Sequence, residues 1–302
     1  MKFDSLDKYQ SIFLEPEWTL SKYYGWKLAV EGADFKVLIK NFGPIKRSLV
    51  LSQLTQDKLH SELLKLSIFG PFSMITIKDF ANQTQDFCNE MLIDGLRVAK
   101  VVDSERLFNK YTFVVDLSLE VDKLWSNMNA DNKRVCRKAI ASGMVVESIS
   151  LLNEELFTLF YERYSKMAIE RSLEIPNETI IRKMFEDGRL CMYYVRNGET
   201  ICTIALVYSA DSKSIFLYGV SGDQKNDGSA QLVQWKIIEH LKQIGQSWYD
   251  LGGVPELSDL NGICRFKKSF GGDGVDLGPE YYRCPTFLML AKNIYKKFRV
   301  AL

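Results

Sequence analysis

The chain is poor in histidine and in net charge, and each shortage narrows what it can be. Only His60 and His240 occur in 302 residues, which leaves a metal site without its commonest neutral ligand. The six cysteines, Cys88, Cys136, Cys191, Cys202, Cys264 and Cys284, are scattered and form no C-x-x-C pair. Free thiols in a reducing compartment are therefore expected, with no metal and no redox cofactor. The formal net charge is +1, so no global field selects nucleic acid, and a polyanionic partner would have to be held by local patches. No apolar run reaches the roughly 18 residues that span a membrane. The opening M-K-F-D-S-L-D-K-Y-Q lacks the apolar stretch of a secretory signal, and a cytoplasmic location is expected.

What is present is the composition of a soluble globular protein, 46% hydrophobic and 25% charged, long enough for about two domains. Pro16 to Tyr24 reads as a short helix closed by Gly25. Trp26 to Glu31, a turn at Gly32-Ala33-Asp34, and Phe35 to Lys40 form a hairpin pattern, followed by a third β-prone run at Ser48 to Leu51. Thr55 to Ser67 carries Leu59, Leu63, Leu64 and Leu66 near helical spacing, and Phe72 to Ile77 is the next strand.

The same order recurs later. Arg189 to Val195, Thr200 to Ser209 and Ser214 to Val220 make a three-strand meander, with turns at Asn197-Gly198 and around Asp211. A polar loop, Ser221 to Gly228, leads to a helix over Ser229 to Ile244, striped by Val233, Ile237, Leu241 and Ile244. His240 falls off that stripe and is expected at the surface. Trp248 to Leu251 completes strand-strand-strand-helix-strand. Between the two copies, Glu120 to Ser142 reads as one long helix ending at Gly143, with Lys133, Arg134, Arg137 and Lys138 on one face. That face is either a phosphate-binding edge or, more commonly, a solvated one. Helices over Asn153 to Ile169 and Asn177 to Asp187 follow, and a last one over Phe287 to Phe298.

A strand-strand-strand-helix-strand order, with a loop before the helix N-terminus, resembles the GNAT acyltransferase plan, in which loop amides and the helix dipole cradle a pyrophosphate. The loop pattern is Gln or Arg, two residues, Gly, one residue, Gly or Ala. Lys225-Asn226-Asp227-Gly228-Ser229-Ala230 meets it only with Lys in first place, and Asp227 would repel a pyrophosphate.

The stretch that carries chemistry runs from Trp248 to Arg283. Trp248 to Leu251 is β-prone and halts at Gly252-Gly253, placing Asp250 near a strand end where α/β sheets present ligands. Gly262 opens a run expected to be a second strand, with Arg265, Lys267 and Lys268 around Phe266. Cations interleaved with aromatics suit phosphate, carboxylate or a developing oxyanion; an ordinary solvated basic edge has the same composition.

Y-D-L-G-G-V (Tyr249 to Val254) and G-I-C-R-F-K-K-S-F-G-G (Gly262 to Gly272) resemble the signature of the Fem family of peptidyltransferases. F-L-E-P-E-W-x-x-x-K-x-x-G-W (Phe13 to Trp26), T-F-V-V-D-L-S (Thr112 to Ser118), N-K-R-V-C-R-K-A (Asn132 to Ala139), F-L-Y-G-V-S-G-D (Phe216 to Asp223) and Q-W-K-I-I (Gln234 to Ile238) extend the likeness over nearly the whole chain. The resemblance implies an α/β (α+β) protein of two tandem GNAT-like domains: residues 1–118 with 284–302, and 119–283. It implies transfer of an amino acid from aminoacyl-tRNA to an amine of a peptidoglycan precursor or related envelope molecule.

By the same resemblance, Lys267 and Phe266 take the family's catalytic Phe-Lys pair. Arg265, Lys268, Tyr218, Asp250, Gly252 and Gly253 would bind or orient the donor. On the acceptor side the match is thinner. Lys22, beside Trp18, holds one of two places for the family's early lysine, and Leu20 the other. Arg171 stands off register for the substrate arginine, which aligns near Pro176, and Asp79 takes an acidic place across a gap. An R-G-P or K-G-P element after the third strand is absent. Two rival readings remain: an acyl-CoA N-acyltransferase acting on a nucleotide sugar or polysaccharide, and a non-catalytic binding module on a duplicated fold.

Overall fold

The computed structural model describes residues 12–14, 25–32, 34–66, 70, 72–80, 90–93, 96–101, 106–222 and 227–285. Two compact units emerge, one containing Tyr111–Val275 and the other containing Phe13–Lys110 with the chain from Asp276 onward. The expected helices at 16–24 and 287–298 lie outside the described residues.

In the N-terminal unit, β1 (Lys27–Gly32), β2 (Phe35–Phe42) and β3 (Ile45–Ser52) form an antiparallel meander. Helix α1 (Gln56–Leu64) then returns the chain to β4 (Ser73–Asp79), which runs parallel to β3 over seven residue pairs, Lys46↔Ser73 to Ser52↔Asp79. The parallel crossover needs a connecting helix, and α1 supplies an apolar side for it. Leu59 and Leu63, one turn apart, are fully buried with Val37, Val50, Ile75 and Ile77. A hairpin of β5 (Glu90–Ile93) and β6 (Leu96–Lys100) follows. The late strand β14 (Glu280–Arg283) sits between β4 and β6, giving the order β1-β2-β3-β4-β14-β6-β5.

The larger unit repeats this plan. It opens with β7 (Tyr111–Asp116), α2 (Val121–Asn127), α3 (Ala130–Ala141), β8 (Val145–Ile149), α4 (Glu154–Glu170) and α5 (Glu178–Glu186). Then come the meander β9 (Leu190–Asn197), β10 (Thr200–Ala210) and β11 (Lys213–Ser221), the helix α6 (Ser229–Gln243) and β12 (Trp248–Val254). Helix α7 (Gly262–Lys268) and the edge strand β13 (Asp273–Asp276) complete it, in the sheet order β13-β7-β12-β11-β10-β9-β8. Strand β12 is parallel to β11 and antiparallel to β7. One core joins Leu232, Val233, Ile237 and Leu241 of α6 to Tyr249 and Leu251 of β12 and Cys136 and Ala139 of α3.

Four expectations change. The helix expected over Glu120 to Ser142 is two, because Asn129 takes the N-cap of α3 and its side chain accepts from the Asn132 amide. The expected domain division set Tyr111–Asp116 with the first domain and Glu280–Arg283 with the second; strand pairing places each in the opposite sheet. The reason is in the side chains: Phe113 and Val115 of β7 enter the larger unit's core, whereas Tyr281 of β14 is fully buried in the other. The run from Gly262 is a helix, not a strand. Asn261 caps it by accepting from the amides of Ile263 and Cys264, and Gly271, at φ +79°, follows its end. Finally, His240 is half-buried, its Nδ1 2.7 Å from the Tyr193 hydroxyl.

Candidate active site

The two sheets differ where it matters for chemistry. Strands β3 and β4 stay paired over seven residues, whereas β11 and β12 pair only from Lys213↔Trp248 to Ile215↔Asp250 and then part. Both parting strands are irregular there. Strand β11 slips register against β10 between Tyr218 and Phe216. Strand β12 slips against β7 between Asp250 and Gly253. A bulge re-aims backbone groups and ends regular pairing, so it leaves carbonyls and amides facing an opening instead of a neighbouring strand.

Helix α7 brings Lys267 to that place. Its Nζ donates to the Gly253 carbonyl at 3.0 Å. A Cβ on Gly252, whose φ is +85°, would lie 3.1 Å from the same nitrogen and 3.1 Å from the Phe216 carbonyl. Gly252 is thus required both for its backbone conformation and for the close approach of the ammonium. Burial pushes the Lys267 ammonium down to about 8, and the Asp250 carboxylate, followed by Cys264, opposes that fall. At neutral pH it remains mainly a cation, held in a poorly solvated place where its field is strong.

The helix carrying Lys267 is anchored at both ends. Asn261 caps its start. At its finish, the Ser269 carbonyl accepts from the Asn129 amide at 3.0 Å, and the Ser269 hydroxyl accepts from the Asn132 side chain at 2.6 Å. A Cβ on Gly271 would meet the Asn127 backbone at 2.7 Å. The α2–α3 break that replaces the expected long helix is therefore the surface on which α7 docks.

The other expected donor residues divide. Asp250 is buried, and its Oδ1 accepts from the Gly252 amide at 2.7 Å and from the Thr112 hydroxyl. It orders the bulge. Phe266 is half-buried and meets the Phe270 ring edge-on at 5.0 Å, so it also packs α7 against the core. Tyr218 is half-buried on β11, edge-on to Tyr164 of α4 at 5.3 Å. Arg265 is exposed. Lys268 is exposed too and pairs with Asp259 at 2.9 Å, which raises its ammonium above the ordinary lysine value. Lys267 and Lys268 are about 100° apart on a helix rather than on opposite faces of a strand, yet only Lys267 turns inward.

Of the expected acceptor residues, two are described. Trp18 and Lys22 lie outside the described residues. Arg171 is exposed at the C-cap of α4 in the larger unit. Asp79 is buried at the end of β4 in the other unit, opposite Ser52. Among the described residues no group of three His, Cys, Asp or Glu side chains is placed to hold a metal, and the five described cysteines are free.

Two features of this unit are only partly visible in the sequence. Thr112 was visible only as part of a strand, and nothing local announces its tie to Asp250. Asp227, in the sequence only a charge set against a pyrophosphate, is the other: its Oδ1 accepts from the Ser229 amide at 2.8 Å and the Ser229 hydroxyl at 2.6 Å, across the N-cap Gly228 at the start of α6. A Cβ on Gly228 would meet Val135 Cγ1 of α3 at 2.8 Å, so this helix start is also closely covered.

No family model and no curated protein matches the chain in sequence. Solved structures do match. FemX superposes with a TM-score of 0.68 at 15% identity, covering 93% of this chain and 94% of that one. The fold is similar to that of FemX. L-PGS from Bacillus licheniformis follows with a TM-score of 0.54 at 11% identity, covering 86% of this chain and 84% of that one. The C-terminal domain of an Agrobacterium fabrum protein described as a lysylphosphatidylglycerol synthetase gives 0.53 at 13% identity, with the same two coverages. At these identities the likeness establishes the architecture, an α/β fold of two GNAT-like domains.

Proposed function

We propose that the protein is an acyltransferase that moves an aminoacyl group from aminoacyl-tRNA to an amine of a peptidoglycan precursor or related envelope molecule. The observation that carries this reading is the bonding of Asp227 to the first residue of α6. In a GNAT-like unit the amides at the start of α6 would receive the pyrophosphate of coenzyme A. Here the chain's own carboxylate already accepts from that helix start, and a second anion would meet it at short range. The likeness in fold to FemX over 93% of the chain supports an ester donor in place of the thioester.

The reaction is aminolysis. The acceptor nitrogen attacks the ester carbonyl carbon, and the carbonyl oxygen becomes an oxyanion. Collapse of the tetrahedral intermediate breaks the bond to the ribose oxygen, which leaves as a hydroxyl after taking up the proton lost by the nitrogen. Lys267 is the group suited to the oxyanion: a cation held by α7 at the parting of β11 and β12, needing little reorganisation as charge develops. Phe266 and Arg265 position the donor, with Tyr218 on the facing strand. Lys22, Trp18, Arg171 and Asp79 are the proposed acceptor-binding residues. No metal or redox cofactor has a part in this chemistry.

Calorimetry with acetyl-CoA tests the donor. The reading expects no saturable binding; tight binding would favour an acyl-CoA N-acyltransferase.

A further inference from the structure

Thr112 lies in β7, a strand whose visible task is to pair with β12 and β13. Val114 and Val115 perform that task with apolar side chains. Thr112 is different: it is buried, and its hydroxyl donates to Asp250 Oδ1. The same oxygen accepts from the Gly252 amide at 2.7 Å. These bonds fall on the register slip, where Asp250 stands opposite Val114 but Gly253 stands opposite Thr112. Three steps along β12 match two along β7, which is the one-residue excess of a bulge. The bulge turns the Gly253 carbonyl to Lys267, whose Nζ donates to it at 3.0 Å. A continuous path thus runs from the Thr112 hydroxyl through the Asp250 carboxylate and the Gly252-Gly253 backbone to the Lys267 ammonium.

We propose that Thr112 is a positioning residue for acyl transfer: its hydroxyl fixes the Asp250 carboxylate, and that carboxylate holds the bulge on which the Lys267 ammonium is seated. The inference rests on the reading of Lys267 as the oxyanion partner. Valine has nearly the same shape and an equal preference for a strand, so pairing of β7 with β12 does not by itself call for a hydroxyl. A buried carboxylate does call for donors, because each one lost leaves charge poorly compensated. Among the described residues, two groups act electrostatically on Lys267, the Asp250 carboxylate from β12 and the Cys264 thiol from its own helix. Arg265 and Lys268, also on that helix, are exposed. Asp250 is therefore the anion that keeps Lys267 cationic in a place where burial opposes it.

The test needs no donor. Folded protein is labelled with trace acetic anhydride from about pH 6 to pH 10, and acetylation of Lys267 is read by mass spectrometry, since only the neutral amine reacts. The wild-type midpoint is expected near 8. Asp250→Asn should lower it by about one unit, which raises labelling at pH 7 about fivefold. Thr112→Val should move it the same way, and Thr112→Ser should restore it. A wild-type midpoint that Thr112→Val leaves unmoved, with cooperative urea unfolding retained, overturns the proposal even if Asp250→Asn fails to fold. If the midpoints move as expected but no charged tRNA supports transfer, Thr112 keeps its positioning role and the proposed reaction is what fails.

Discussion

The Lys267 ammonium sits 3.0 Å from the Gly253 carbonyl and 3.1 Å from the point that a Cβ on Gly252 would occupy. A helix and a bulged strand meet there with no room for a side chain between them. Gly252→Ala should therefore act on the lysine as well as on the backbone. The expected outcome is lower activity together with a loss of about 1–3 kcal/mol in urea unfolding, since φ is +85° and both near atoms must give way. Full activity in that variant would show that the ammonium does not need this seat.

Lys267→Met should slow single-turnover transfer by about two to three orders of magnitude, the usual cost of losing one oxyanion donor. Lys268→Met should leave the rate nearly unchanged, because that ammonium is exposed and paired with Asp259. Equal losses at the two positions would mean that the cluster only gathers polyanion. In that case added salt should reproduce both losses, since phosphate contacts are screened and counterion-linked.

The protonation state of Lys267 gives a second test. As a cation it serves below about 8 and is lost above it. With an acceptor amine that is already neutral at pH 7, the single-turnover rate should fall as pH rises through about 8. A rate that rises through that point would assign Lys267 the work of a base.

The smaller unit holds another displaced lysine. Burial pushes Lys78 down to about 7, helped by the Arg106 guanidinium and opposed by Glu280, Asp276 and Asp79. Its Nζ donates to the Gly278 carbonyl at 2.9 Å. An unfolded chain keeps this amine protonated to near the ordinary lysine value, so between about 7 and 10 it binds more protons than the folded one. Stability must then rise with pH across that window. Lys267 adds to the rise above about 8, and Cys136, pushed up to about 11 by burial, opposes it above the ordinary thiol value. Urea unfolding from pH 7 to pH 9 should show a gain on the order of 1 kcal/mol per pH unit, and Lys78→Met should flatten it. An unchanged slope in that variant would assign the gain elsewhere.

Much of the fold is legible in the sequence because it is local. The meanders, α6 with its Val233-Ile237-Leu241 stripe, and the doubled strand-strand-strand-helix-strand order all follow from periodicity and turn residues. Helix α7 reads as a strand because Cys264 to Lys267 alternates apolar and charged side chains, while its real signals are an N-cap at Asn261 and a glycine at 271. The break at Met128-Asn129 has a local signal in the Asn129 N-cap, but the docking of Ser269 and Gly271 on it joins segments about 140 residues apart, which no local pattern carries. Strand ownership failed for the same reason: β7 and β14 are each placed by distant partners. Within the candidate site, Lys267 and the two glycines stand out and Asp227 shows as a misplaced charge, whereas Thr112 and the bond from Ser229 to Asp227 depend on neighbours the sequence does not reveal.

The central claim is the donor. Folded protein is offered a mixture of charged tRNAs and, separately, a panel of acyl-CoAs, each with candidate amines that include peptidoglycan-precursor side chains, and mass change on the amine is measured. Transfer from a charged tRNA, lost in Lys267→Met and absent with every acyl-CoA, is the predicted result. Transfer from an acyl-CoA, with none from any charged tRNA, would contradict the account.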